Sequence, residues 1–133
     1  MKQIVDGQQM KELDYETIHS YGIPSLVLME RASLAVTEVL KNEFDTKKIL
    51  IVCGSGNNGA DGMAAARILH LEGYHVDLFL AGKMESFTEE AAIQWKIAEN
   101  YGVSVVNNFC PNEYTTIVDA VFGVGLSREI TGT

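Results

Sequence analysis

Asn57, Asn58 and Asp61 stand close together in the run Gly54-Ser-Gly-Asn-Asn-Gly-Ala-Asp-Gly62. A side-chain amide carries both an acceptor oxygen and N–H donors, whereas a carboxylate only accepts. A loop built from these groups offers oxygen ligands as well as donors, and a pure phosphate cradle needs donors alone. A second acid, Asp119, interrupts the apolar run Ile117-Val118-Asp119-Ala120-Val121-Phe122. A carboxylate inside a core strand is costly unless a cation or strong donors meet it. Two readings follow. Asp119 accepts backbone N–H groups from the adjacent loop, or it is a metal ligand or catalytic carboxylate at the strand's end. With neutral amide oxygens across from it, the implied ion is hard and oxygen-bound, closer to a monovalent cation such as K+ than to Mg2+. Arg128 places a positive charge near both segments. It either grips a phosphate bidentately or pairs with Glu129 in solvent.

These residues need elements to hold them. The β-branched run Ile49 to Cys53 stops at Gly54, and a small-residue helix pattern follows, expected from about Asp61 to Glu72. Strand, glycine turn and helix N-terminus together present backbone N–H groups to an anion. Gly54, Gly56 and Gly59 also spell G-x-G-x-x-G, the dinucleotide fingerprint. Three features count against an ordinary NAD-dependent dehydrogenase. The second strand ends in Leu80-Ala81-Gly82-Lys83 with no acid for a ribose, and Asp77 lies near the strand's start. Asp61, expected in the helix's first turn, caps that end but repels a pyrophosphate. The asparagines add acceptors. Their plain alternative is to satisfy a turn, where Asn tolerates left-handed φ. The full run Asn57 to Gly62 favours a ligand site.

The rest of the chain reads as scaffold. A helix is expected over 7–21, capped by Asp6 and ended by Gly22. Ile23-Pro24-Ser25 breaks the chain, and a second helix runs to about Lys41. Its first half is apolar nearly all round, which predicts core on one face and a subunit contact on the other. Glu30 and Arg31 read as an internal pair and Trp95 as core. Further strands are expected at 75–80, 103–106 and 115–122. A helix is expected from the capping box Ser86-Phe-Thr-Glu89 to Tyr101. Strands alternating with helices predict a parallel α/β sheet wound right-handed. In the usual doubly wound order, strands one and four are neighbours. The loops 54–62 and 123–129 then converge on one crevice at the strands' carboxyl ends.

A chain of 133 residues with 47 % hydrophobic and 21 % charged residues suits one folded domain. Its net charge of −8 argues against a nucleic-acid surface. No apolar run reaches the ~20 residues of a membrane span, and no signal-peptide core is visible. Cys53 ends a core strand and reads as a buried reduced thiol, which points to a reducing, cytoplasmic compartment.

Three segments carry a family resemblance: Gly54 to Gly62, Gly22-Ile-Pro-Ser-Leu-Val-Leu-Met-Glu-Arg-Ala32, and Val118-Asp-Ala-Val-Phe-Gly-Val-Gly-Leu126. In order, and across the whole chain, they resemble the YjeF N-terminal domain, the NAD(P)H-hydrate (NAD(P)HX) epimerase family. The resemblance implies a Rossmann-like three-layer α/β/α parallel sheet, incomplete in this chain. It implies a homodimer that interconverts the R and S forms of hydrated NADH and NADPH. A fused or separate ADP- or ATP-dependent dehydratase would then restore the cofactor. It implies a substrate site of Asn57, Asn58, Gly59, Ala60 and Asp61, faced by Gly123, Val124, Gly125, Leu126, Ser127, Arg128 and Glu129. It also implies K+ held by Asn58 and Asp119. Asp61 is the candidate for the catalytic group. Ala60 stands where the family usually has Gly, which would narrow backbone access. Ser33 also replaces a usual Gly, read as a packing change. The family continues through more strands and an Asp-Ile-Pro-Ser-Gly-like motif. Residues 1–133 are therefore expected to form the front part of a single domain, inactive alone, with strand four left as an open edge. A non-catalytic dinucleotide-binding or dimerisation module is the alternative. The intact Asn57-Asn58 pair and Asp119 favour the enzyme.

Overall fold

The computed structural model describes residues 22–121. The expected helix over 7–21 and the loop 123–129 lie outside the described residues. The elements are α1 (Ser25–Glu43), β1 (Ile49–Cys53), α2 (Asn57–Leu71), β2 (Val76–Leu80), α3 (Glu89–Asn100), β3 (Ser104–Val105) and β4 (Thr116–Ala120). All strand pairs are parallel, in the order β3-β2-β1-β4. β1 and β4 are neighbours, as the doubly wound order requires. Cys53 stands level with Leu80 on one side and Ala120 on the other.

Side chains alternate across a strand. One face of the sheet presents Ile49, Ile51, Cys53, Val76, Leu78, Val118 and Ala120 to a single core. That core is shared with Val36 and Leu40 of α1, Met63, Ala66 and Leu69 of α2, and Ala91, Trp95 and Ala98 of α3. α2 lies on the sheet, with α1 and α3 packed on either side of it. Leu40, Met63 and Leu69 are wholly buried, each contributing roughly 1.5–3 kcal/mol. The three helices therefore make one layer on one face of the sheet. A helical layer on the opposite face is not among the described residues. α1 is apolar on two sides, as expected. Leu28, Met29, Val36 and Leu40 are buried, while Val27 and Leu34 remain exposed.

Several local expectations are corrected. α2 begins at Asn57, well before Asp61, because the small Gly59 lets the helix start directly after Gly56. The cap of α3 is Thr88, whose Oγ1 accepts from the Ala91 N–H at 3.1 Å. Ser86 belongs to a separate 3-10 turn, Met84–Ser86. β3 keeps only two residues, both exposed at the sheet's edge. Glu30 does not pair with Arg31. Consecutive helical residues point in different directions, and Glu30 meets Arg67 of α2 while Arg31 is exposed.

The opposite face carries its own polar contact. The Tyr114 hydroxyl donates to Asp77 Oδ2 at 2.7 Å, and Lys48 Nζ lies 5.1 Å from the Tyr114 ring. Burial first, then the bond to Asp77, raises the Tyr114 pKa. Asp77 is thus engaged near the strand's start, away from the carboxyl ends.

Candidate functional site

The site begins where β1 gives way to Gly54. The Gly54 N–H donates to Ala120 O at 3.1 Å, and the Ala81 N–H donates to Cys53 O at 2.8 Å. The turn therefore leaves the sheet between β2 and β4. Close approach dictates three of its glycines. A Cβ on Gly59 would lie 1.9 Å from Gly54 O, and one on Gly62 would lie 2.8 Å from the Ala120 Cβ. A Cβ on Gly54 would lie 3.0 Å from Val121 O. Together these contacts press the start of α2 onto the ends of β1 and β4. Gly56 differs, because nothing lies within 4 Å of its Cβ position.

Asn57 and Asn58 are the first two residues of α2. The first helical bond runs from Ala60 N–H to Gly56 O at 3.0 Å. The N–H groups of Asn57, Asn58 and Gly59 therefore have no carbonyl within the helix, the normal state of a helix N-terminus. The helix has no side-chain cap and no acid in its first turn. This corrects the expectation for Asp61. Asp61 lies beyond the first turn, so it is not the capping acid expected there. Asp61 is the fifth residue of α2, buried, and about 200° around the helix from Gly59. Its carbonyl accepts from Ser33 Oγ at 3.1 Å, so Ser33 ties α1 to α2 as well as filling space. Ala60 is fully buried and its methyl joins the core, so it narrows nothing at the ligand side. Asn57 is exposed and Asn58 half-buried.

Asp119 stands level with Val52 and is half-buried. Its Oδ1 accepts from the Val121 N–H at 3.0 Å. The backbone-acceptor reading accounts for this oxygen, while Oδ2 has no hydrogen bond among the described residues. Asn58 and Asp119 lie at the same end of the sheet, and a neutral amide oxygen and a carboxylate oxygen are donor types that K+ accepts. Among the described residues no group of three or more His, Cys, Asp or Glu side chains is placed to hold a metal ion. Gly123 to Glu129, with Arg128, fall outside them.

Thr88 was not singled out from the sequence. Its hydroxyl donates to Asn57 Oδ1 at 2.7 Å, and its N–H donates to Ser55 O at 3.0 Å. The signal was present in Thr88-Glu-Glu-Ala91, an N-cap followed by acids. The overlapping Ser86-Phe-Thr-Glu89 frame hid it. Cys53 sits beneath the turn, and burial pushes its thiol up to about 12. It donates to Phe79 O at 3.6 Å. A thiol in that state is no nucleophile near neutral pH.

A parallel sheet whose first strand runs through a glycine turn into an open helix N-terminus belongs to the Rossmann-like class of α/β domains. The family described as YjeF-related protein N-terminus matches residues 25–133. The chain belongs to this family. It is 51 % identical to the NAD(P)H-hydrate epimerase of Oenococcus oeni, over 96 % of this chain and 62 % of that protein. It is 46 % identical to the protein of the same name from Weissella koreensis, over 98 % of this chain and 60 % of that protein. The crystal structure of yeast ynu0 (YNL200c) superposes with a TM-score of 0.69 at 27 % identity, covering 91 % of this chain and 57 % of that one. The chain spans about three fifths of the length of the curated relatives it matches.

Proposed function

We propose that the protein is an NAD(P)H-hydrate epimerase, an isomerase that interconverts the R and S forms of hydrated NADH and NADPH. The observation that carries this reading is the acid-free N-terminus of α2, with the N–H groups of Asn57, Asn58 and Gly59 unused by the helix. Those donors and the helix dipole suit the substrate's pyrophosphate. The names of the curated relatives support the same substrate. Epimerisation requires the ring hydroxyl to leave and water to return to the opposite face. The ring nitrogen's lone pair expels the hydroxyl, which takes a proton from solvent and leaves as water, and the iminium cation then adds water on its other face and returns a proton to solvent, so the site must hold the dinucleotide still and tolerate positive charge. Asn57 and Asn58 hold the anionic pyrophosphate without adding negative charge beside it. Asn58 and Asp119 would hold K+, which would supply positive charge for the anionic pyrophosphate at the strand ends. Asp61, buried just beyond the first turn of α2, is the candidate carboxylate for stabilising the iminium cation. The loop 123–129, with Arg128, forms the facing wall in this reading. A homodimer fits the exposed Val27 and Leu34 on α1. A cytoplasmic setting and a fused or separate ADP- or ATP-dependent dehydratase complete the repair scheme.

The test uses the complete gene product, pure R-NADHX and a dehydratase that consumes the S form. NADH should reappear faster than by spontaneous epimerisation. Recovery at the background rate overturns the epimerase reading, and binding without acceleration would reassign the domain as a dinucleotide-binding module.

A further inference from the structure

The start of α2 and the start of α3 are joined through one residue. Thr88 uses its hydroxyl twice, accepting from the Ala91 N–H at 3.1 Å and donating to Asn57 Oδ1 at 2.7 Å. Its backbone is also fixed on both sides. The Thr88 N–H donates to Ser55 O at 3.0 Å, and the Ala92 N–H donates to Thr88 O at 3.0 Å. A hydroxyl that accepts from one partner and donates to another is polarised, which strengthens both bonds. Asn57 is otherwise an exposed side chain on the rim of the turn. An amide with its oxygen engaged has both Nδ2 hydrogens free for a ligand.

We infer that Thr88 is a positioning residue for substrate binding, fixing Asn57 so that its Nδ2 donates to the anionic part of the dinucleotide. The inference rests on the reading of the α2 N-terminus as the substrate site. Capping α3 needs only an acceptor at position 88. Orienting Asn57 Oδ1 needs a proton donor there. A threonine or serine does both, whereas an aspartate caps but donates nothing. Thr88→Asp therefore separates the two roles.

The experiment is a double-mutant cycle in the complete gene product, with Thr88→Asp, Asn57→Ala, the pair together, and Thr88→Ser. Epimerisation of R-NADHX is read as kcat and KM, and melting temperature is followed alongside. T88D should melt near the wild type yet lose roughly tenfold in kcat/KM, mostly as a higher KM. N57A should lose a similar factor, the double mutant no more than N57A alone, and T88S should recover the T88D loss. Repulsion of substrate by the new carboxylate would persist in the N57A background, so additive losses overturn the inference, as does a T88D enzyme equal to wild type. A wild type that does not accelerate epimerisation is a failure of the epimerase reading. The same cycle read as Kd for NADP+ by calorimetry then decides the positioning role, and a wild type that does not bind NADP+ overturns both.

Discussion

Gly56 and Gly59 are three positions apart and look alike in the sequence, yet their surroundings make opposite demands. A methyl on Gly59 would be driven into the backbone oxygen of Gly54, and a backbone atom cannot move aside as a flexible side chain does. Gly59→Ala should destabilise by about 3 kcal/mol, the upper end of overpacking costs. Gly56→Ala meets open space at a φ of −93°, which any residue adopts, and should cost no more than about 1 kcal/mol, the loss when Ala takes an N-cap that Gly fills. Thermal melts of the two variants check this pair, and equal melting temperatures would contradict the packing described. Types and spacing were legible at this scale. The asparagines, Asp119 and the glycine turn all fall at the carboxyl end of the sheet. The division of labour among the glycines was not legible, because it depends on what lies opposite each Cβ. Ala60 shows the same limit. Its methyl faces the core rather than the ligand because the helix begins earlier than the pattern indicates.

The elements themselves followed from hydrophobic period, and their ends did not. β1 and β4 announce themselves by β-branched runs that a buried parallel strand favours. The start of α2 was obscured because Asn and Gly are weak helix formers, and here packing against Gly54 outweighs that weakness. Ser33 carries the energetic consequence at this scale. Its hydroxyl is buried and donates across the α1–α2 contact to the Asp61 carbonyl. Ser33→Ala removes that bond and should cost about 1 kcal/mol, the usual net worth of a buried neutral hydrogen bond. Denaturant unfolding should show a lower midpoint with an unchanged slope. An unchanged midpoint would mean that the bond adds nothing to the helix pair.

At the scale of the whole molecule, the thiol beneath the turn reports on the integrity of the core. Cys53 is buried and Cys110 exposed. Alkylation of the native protein should modify Cys110 alone, with Cys53 reacting only after unfolding, and double labelling of the folded protein would contradict the burial. The sign of the pH dependence follows. Folding raises the Cys53 pKa from 9.0 to about 12 through burial. Below pH 9 the thiol is protonated in both states and its stabilising contribution is complete. Between pH 9 and 12 the unfolded chain releases a proton that the folded protein keeps, so stability falls. Cys53→Ala should show a shallower fall over that range. That β1 and β4 are neighbours was legible from the alternation of elements together with the usual doubly wound order. The gathering of all three helices on one face was not, since it depends on α1 packing against α2 rather than on the sheet.

The contact between Gly59 and Gly54 has a consequence for how a ligand is received. With no side chain between helix and turn, neither can shift without the other, and the helix is anchored again through Gly62 on Ala120. This wall is preorganised. An anion bound as proposed would find its donors already aimed and lose little affinity to ordering them. If the proposed site is right, selectivity among ligands should be set by whatever faces this fixed surface, and not by the surface itself.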